Sequence, residues 1–346
     1  VKKLRFPVRW VRGVLPVLIA LLLLSWALHD VELGRVLEQV RDVRILPLVV
    51  AVVLITIGHF PIRVIRWRVI LRPQGRTLAF TPLFHATASG TLMNYLLPAR
   101  LGELVRAYAA RELTTSPFST AIGSLMAERV VDGFAMCLLL FGAIAVGGFQ
   151  NAVAVGTWTV GRVALVAGGV FGLGMLALVL LALRPRHLRS VAGRLLGDGD
   201  AGSWMTSVRG TIRGIVAGLD ALRSVNRTVG IVFWTLVLWS LSACGIWVGL
   251  RAFGIVVPLT VAALLQALVA LAIALPSAPG FVGPFQAAAR VALSLGGIDA
   301  TQAIAFSLPF HVIAFFVPVT VIGVWSLSRT GMRFAQLGER ARSAEG

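Results

Sequence analysis

LLPARLGELVRA, residues 96–107, decides how this chain is read. An apolar run reaches Leu97-Pro98, breaks through Ala99-Arg100-Leu101-Gly102, and resumes with Glu103 and Arg106 on one helical face. A second run, from Phe118, is interrupted by Glu128-Arg129-Val130-Val131-Asp132. A charge near the middle of a membrane helix costs about 2.5–3.5 kcal/mol on insertion scales, so such residues pair with one another and mark a pathway. Arg100, Arg106 and Arg129 set against Glu103, Glu128 and Asp132 permit a closed set of ion pairs, with Arg111 and Glu112 in the polar spacer between.

Composition supports reading those runs as membrane segments. The chain has 346 residues, 58% hydrophobic and 13% charged, with a mean hydropathy of +0.88. Soluble domains carry about 25% charged residues, so a soluble class is excluded. The net charge of +18 is almost all arginine, Lys2 and Lys3 being the lysines. That charge lies between apolar runs, where it serves topology and attraction to anionic lipid, and no nucleic-acid module accompanies it. Cys137 and Cys244 sit in apolar runs and read as small core residues. The basic start before residue 12 resembles a signal peptide, but Ser25-Trp26-Ala27-Leu28-His29 offers no cleavage site, so an uncleaved first span is expected.

A span needs ~20 mostly apolar residues. Runs at 12–29, 45–63, 118–147, 160–183, 228–250 and 301–327 qualify. Stretches 80–112 and 259–297 are broken, the second at Leu275-Pro276-Ser277-Ala278-Pro279-Gly280 followed by Gly283-Pro284. Pro removes an amide donor and Gly loosens the backbone, so each break ends one helix and starts another. The arginines of the N-terminus, of the loop after 63 (Arg66, Arg68, Arg72, Arg76), of 184–227 and of the tail are expected to be cytoplasmic, and 29–44 and 148–161 to be outside. Both termini are then cytoplasmic, in a multi-pass protein of the inner or plasma membrane.

These orientations close only if 80–112 and 259–297 each enter and leave on one side. The expected fold is an all-α polytopic membrane protein with about six full transmembrane helices plus two re-entrant helical hairpins in an inverted repeat. It is one transmembrane domain, 1–346, with repeat one at about 12–147 and repeat two at about 160–327. The alternative is eight ordinary helices with kinks. Loop 184–227 carries Trp204, Val208, Ile212, Ile215, Leu219 and Leu222 at helical spacing, either as a cytoplasmic amphipathic interfacial helix or as extensions of its flanking spans. Gly168 and Gly172 form a helix-packing GxxxG.

Glu128 lies about ten residues into its run, ~15 Å deep at 1.5 Å per residue, and Asp132 follows one turn later on the same face. The charges then form either a groove whose arginines receive an anionic head group or a self-satisfied knot that locks hairpin to helix. Asn94 lines such a groove or bonds a freed carbonyl. His29, His59, His85, His187 and His311 show no metal spacing, and His59 and His85 read as packing or interfacial residues. No nucleophile elbow, phosphate loop, metal site or cofactor motif is present in the sequence.

LLPARLGELVRAYAARE, AERVVDG, LPSAPGFVGPFQAA and VPVTVIG resemble the transmembrane domain of lysylphosphatidylglycerol synthase-like, or flippase-like, proteins over about residues 10–327. The resemblance implies re-entrant helices and movement of a lipid across the bilayer. It adds Pro279, Gly280, Gly283, Gln286 and His311 to the substrate-binding candidates Asn94, Arg100, Glu103, Arg106, Glu128, Arg129 and Asp132. Gln286 and His311 depart from the pattern, which has Glu and Arg there, and losing both charges together suits a mutual contact. The chain ends soon after its last span, without the aminoacyl-transferase domain of fused members, so it is expected not to be a lipid-synthesising enzyme. The expected function is translocation of an anionic or phosphate-bearing lipid, with a membrane phospholipid or polyprenyl-linked lipid as partner and a homo-oligomer or separate lipid-modifying enzyme as further partners. The alternatives are a membrane enzyme acting on lipid-linked phosphate or sugar and a non-transporting subunit of an envelope-synthesis complex.

Overall fold

Apolar periodicity and proline placement lay out a chain of helices. The computed structural model describes residues 8–72, 76–97, 101–149, 153–155, 158–159, 224–274 and 279–332, with single positions between 161 and 173. The helices are α1 (Val8–Leu28), α2 (Leu33–Arg41), α3 (Ile45–Ile70), α4 (Phe80–Leu96), α5 (Gly102–Leu113), α6 (Phe118–Gly147), α7 (Val225–Ala252), α8 (Leu259–Ala274), α9 (Pro284–Leu295) and α10 (Ala300–Thr330). A short antiparallel pair, β1 (Val153–Val155) with β2 (Trp158–Thr159), is the departure from an all-α chain among the described residues. Span 160–183 is described at isolated positions only. Gly168, Gly172 and the amphipathic segment of 184–227 lie outside the described residues, as do Pro98, Arg100 and Leu275–Ala278.

Helix boundaries follow local chemistry. α4 stops at Leu96 and α8 at Ala274, each two residues before a proline that disfavours helical backbone in its predecessor. Asp299 caps α10 by accepting the Gln302 N–H at 3.0 Å. α6 and α10 end on left-handed Gly148 and Gly331. Within α3 the chain forms a π-turn at Gly58–Ile62 around Pro61, and within α10 another at Val312–Phe316, just after Pro309. Such wide turns absorb the amide that proline lacks. The two π-turns face each other, with the His59 ring 5.7 Å from Phe315, edge to face.

Twice the order runs long helix, short pair, long helix: α3, α4–α5, α6 and then α7, α8–α9, α10. Among the described residues four helices, α3, α6, α7 and α10, are long and apolar enough to cross a membrane. They leave large apolar side chains uncovered, among them Val53, Leu138, Leu236 and Val321, as expected of surfaces that meet lipid. α4 and α5 are antiparallel, since Gly90 lies against Arg106 and Asn94 against Gly102. A Cβ at Gly102 would fall on the Gly90 carbonyl, so glycine is what allows the two backbones to touch. α8 and α9 are likewise antiparallel, with Val261 at the start of one against Gly296 at the end of the other. The apices of the two pairs meet: Tyr95 lies 5.2 Å from the Phe281 ring, edge-on.

α1 braces the second pair. The carbonyl of Ala20 approaches Gly283, whose φ of +96° also demands glycine. Arg290 donates to the carbonyls of Trp26 (2.6 Å), Ala27 (3.1 Å) and His29 (2.8 Å), satisfying the exposed end of α1.

Candidate functional site

Three helices, α3, α5 and α6, converge on one buried carboxylate, and α7 joins them at the next. Glu128, on α6, is fully buried, and its Oε1 accepts from Arg63 Nε at 3.0 Å, Arg106 Nη1 at 3.0 Å and Arg129 Nη2 at 2.5 Å. Arg66 Nη2 lies 3.3 Å from the same oxygen. One turn on, Asp132 takes both Arg66 Nη atoms, Nη2 at 3.1 Å, and accepts the indole N–H of Trp239, on α7, at 3.0 Å. Arg66 Nη1 also donates to Thr235 Oγ1 at 3.2 Å. Glu103, on α5, sits between Arg63 and Arg129, 3.7 Å from each. Arg106 lies with its guanidinium 3.9 Å above the Trp67 ring, whose N–H is taken by Ser124.

The charge arithmetic is asymmetric. Arg63, Arg66, Arg106 and Arg129 outnumber Glu103, Glu128 and Asp132 by one positive charge. Burying such groups is tolerable only when each is paired, and the spare donors are specific: Nε of Arg66, Arg106 and Arg129 and Nη2 of Arg106 are buried without a hydrogen-bond partner. The acids hold the guanidiniums in place and leave them a net positive field.

That field borders a cavity of about 110 Å³, several times the ~10–15 Å³ that one water needs. Arg63, Arg66, Arg129, Glu103 and Asp132 form its charged wall. The opposite wall comes from the second half of the chain: Gln266 on α8, Phe281 and Phe285 at the second apex, and His311 and Phe315 on α10. Asn94, Tyr95 and Trp239 lie between.

The sequence candidates come together unevenly. Glu103, Arg106, Glu128, Arg129 and Asp132 share the ion cluster, and Asn94 lines the cavity with its Oδ1 buried and unpaired. Gln286 and His311 are in contact, Nε2 to Nδ1 at 3.5 Å, while Gln286 Oε1 accepts the Gly283 N–H at 2.8 Å. His311 stacks on Phe285 at 4.3 Å. Pro279 and Gly280 belong to the turn at the second apex, Gly280 with φ +73°. Arg100 lies outside the described residues.

One expectation is corrected. Arg66 was expected in a cytoplasmic loop after a span ending at residue 63, but α3 continues to Ile70 and Arg66 is 1% exposed in the heart of the cluster. Its burial is offset by the two carboxylates it reaches. Arg63, Trp239, Gln266 and His59 were also not singled out for the site, although His59, Arg63 and Arg66 share one helical face at four- and three-residue spacing.

Known proteins are similar to the chain over most of its length. The family model described as "Lysylphosphatidylglycerol synthase TM region" matches residues 13–323. A protein of Haloferax volcanii named "Glycosyltransferase AglD" is 29% identical over 335 residues, covering 90% of this chain and 53% of that protein. The chain thus spans about half the length of that relative. A "UPF0104 membrane protein" of Methanothermobacter thermautotrophicus is 25% identical over 283 residues, covering 75% of this chain and 77% of the other. No solved structure matches the chain.

Proposed function

The chain belongs to the lysylphosphatidylglycerol synthase transmembrane-region family, and we propose that it is a lipid translocase whose cavity takes a phosphate-bearing head group while the acyl chains stay in lipid. The observation that carries this reading is the surplus guanidinium charge facing a cavity between the two halves of the chain. Arg63 and Arg129, 15% and 27% exposed, are the arginines able to reach a ligand. Planar guanidiniums bind phosphate oxygens in pairs. Arg106, 2% exposed and away from the cavity wall, holds the cluster from behind, and Arg66, 1% exposed, is held by Asp132 and Glu128.

In this reading α4–α5 enters from the cytoplasmic side and α8–α9 from the other, as two re-entrant hairpins of an inverted repeat whose apices meet at Tyr95 and Phe281. Rocking one half against the other would open the cavity to either leaflet, with the π-turns of α3 and α10 as the places where those helices bend. Glu128 Oε1 is already engaged by guanidiniums, so the acids serve as anchors.

The test is a leaflet-resolved lipid assay in proteoliposomes with native lipids. Wild type should move a phosphate-bearing class between leaflets, and Arg63→Gln and Arg129→Gln should reduce that movement tenfold or more while remaining folded. Folded wild type that moves no lipid would end the reading. The name of the Haloferax relative favours a second reading, transfer of sugar from a lipid carrier; it predicts turnover of a lipid-linked sugar by the purified chain rather than transport of an unchanged lipid.

A further inference from the structure

We infer that the head group this cavity accepts is a phosphate carrying a neutral, hydroxyl-rich group, as in a sugar phosphate, and that a cationic aminoacyl group is disfavoured. The inference rests on the translocase reading and concerns which lipid that site selects.

Charge decides against a cation. Each carboxylate near the cavity has guanidinium neighbours: Asp132 pairs with Arg66 and accepts from Trp239, Glu128 Oε1 accepts from the surrounding guanidiniums, and Glu103 lies between Arg63 and Arg129, while Glu103 Oε2 and Glu128 Oε2 are buried without a hydrogen-bond partner. Glu103 lines the cavity with a guanidinium 3.7 Å away on either side, and among the described residues the cluster is one positive charge in surplus. One phosphodiester supplies the one negative charge that balances it. A positive charge on the same head group would restore the imbalance.

Away from the charged wall, the described lining residues carry polar groups but no charge. Asn94 Oδ1 is buried and lacks a donor, which a hydroxyl would supply. Gln266 Oε1 accepts from Ser242 Oγ at 2.5 Å, which leaves its NH2 group for an incoming oxygen. Gln286 sits oriented by Gly283 N–H, so its NH2 faces His311 Nδ1, and an imidazole that accepts at Nδ1 carries its proton on Nε2 as a donor. Donors and acceptors without charge are what hydroxyls pair with.

Aromatic faces complete the fit. Tyr95, Trp239, Phe281 and Phe285 line the same space. Phe281 holds its position with φ +57°, a backbone region unfavourable to a bulky residue, and such outliers gather at ligand sites. The C–H face of a sugar ring is apolar while its rim is hydroxylated, so flat rings beside isolated amides suit it. A flexible aminoacyl chain gains little from either.

The experiment compares three probes presented to the full chain in phosphatidylcholine vesicles: an isoprenoid-phosphate hexose, the bare isoprenoid phosphate, and lysyl-phosphatidylglycerol. Binding of the hexose lipid should exceed that of the lysyl lipid by tenfold or more and that of the bare phosphate by threefold or more. Asn94→Leu and Gln266→Leu should erase the hexose advantage, so that each variant binds the hexose lipid no better than it binds the bare phosphate. Gln266→Glu, which keeps the Ser242 contact and adds a carboxylate, should raise binding of the lysyl lipid. Lysyl lipid bound as tightly as the hexose lipid by wild type, or a hexose lipid bound no better than the bare phosphate, overturns this inference and leaves the translocase reading standing. No binding of any of the three overturns both.

Discussion

Replacing Arg66 and Asp132 singly and together separates the brace of this site from its grip. Arg66 is 1% exposed and Asp132 6%, and the guanidinium takes both carboxylate oxygens. Arg66→Met would leave Asp132 with the Trp239 N–H at 3.0 Å and Arg129 at 3.6 Å. Asp132→Leu would leave Arg66 with Glu128 at 3.3 Å and Thr235 at 3.2 Å. Removing one partner of a buried pair costs about 3–5 kcal/mol, whereas replacing both by apolar groups is often close to neutral. The double variant also keeps the surplus of one positive charge, since Arg63, Arg106 and Arg129 still face Glu103 and Glu128. The expected coupling in a double-mutant cycle is at least ~2 kcal/mol, read from reversible unfolding in mixed micelles. A coupling below about 0.5 kcal/mol would show that α3 and α6 are not held together by this pair, and would refute the structural part of the argument.

Two further perturbations probe the frame. Gly102→Ala sets a Cβ on the Gly90 carbonyl and should destabilise the chain by about 1–3 kcal/mol, with loss of lipid movement as α5 is pushed from α4; unchanged thermal stability would contradict the packing of that pair. Arg290→Met removes the donors that close the end of α1 and should speed hydrogen exchange and proteolysis around residues 26–32 at a cost of about 1–3 kcal/mol, with protection elsewhere kept.

Much of the site was legible because membrane burial makes charge conspicuous. Glu103, Arg106, Glu128, Arg129 and Asp132 stand out from apolar surroundings, and helical spacing alone puts Glu128 and Asp132 on one face. The helix ends at Leu96 and Ala274 follow from prolines two residues later. The Gln286–His311 contact was readable as a paired departure from a pattern. Arg63 and Arg66 were not, since arginines after an apolar run ordinarily mark the cytoplasmic flank of a span. The π-turn at Gly58–Ile62 lets α3 run through Pro61, so the helix extends to Ile70 and carries both arginines inward. Trp239 and Gln266 were hidden for a different reason. In an apolar run a tryptophan or a lone glutamine is as much at home facing lipid or a neighbouring helix as facing a cavity, and only tertiary contact tells these apart.

Alternating access is the central claim, and one labelling measurement tests it. With Cys137 and Cys244 replaced by alanine, a single cysteine at Gln266 should react with a membrane-impermeant thiol reagent from either face of oriented vesicles, and a phosphate-bearing lipid should suppress labelling from both. Reaction from one face alone, whatever lipid is supplied, would contradict a cavity that opens to both leaflets.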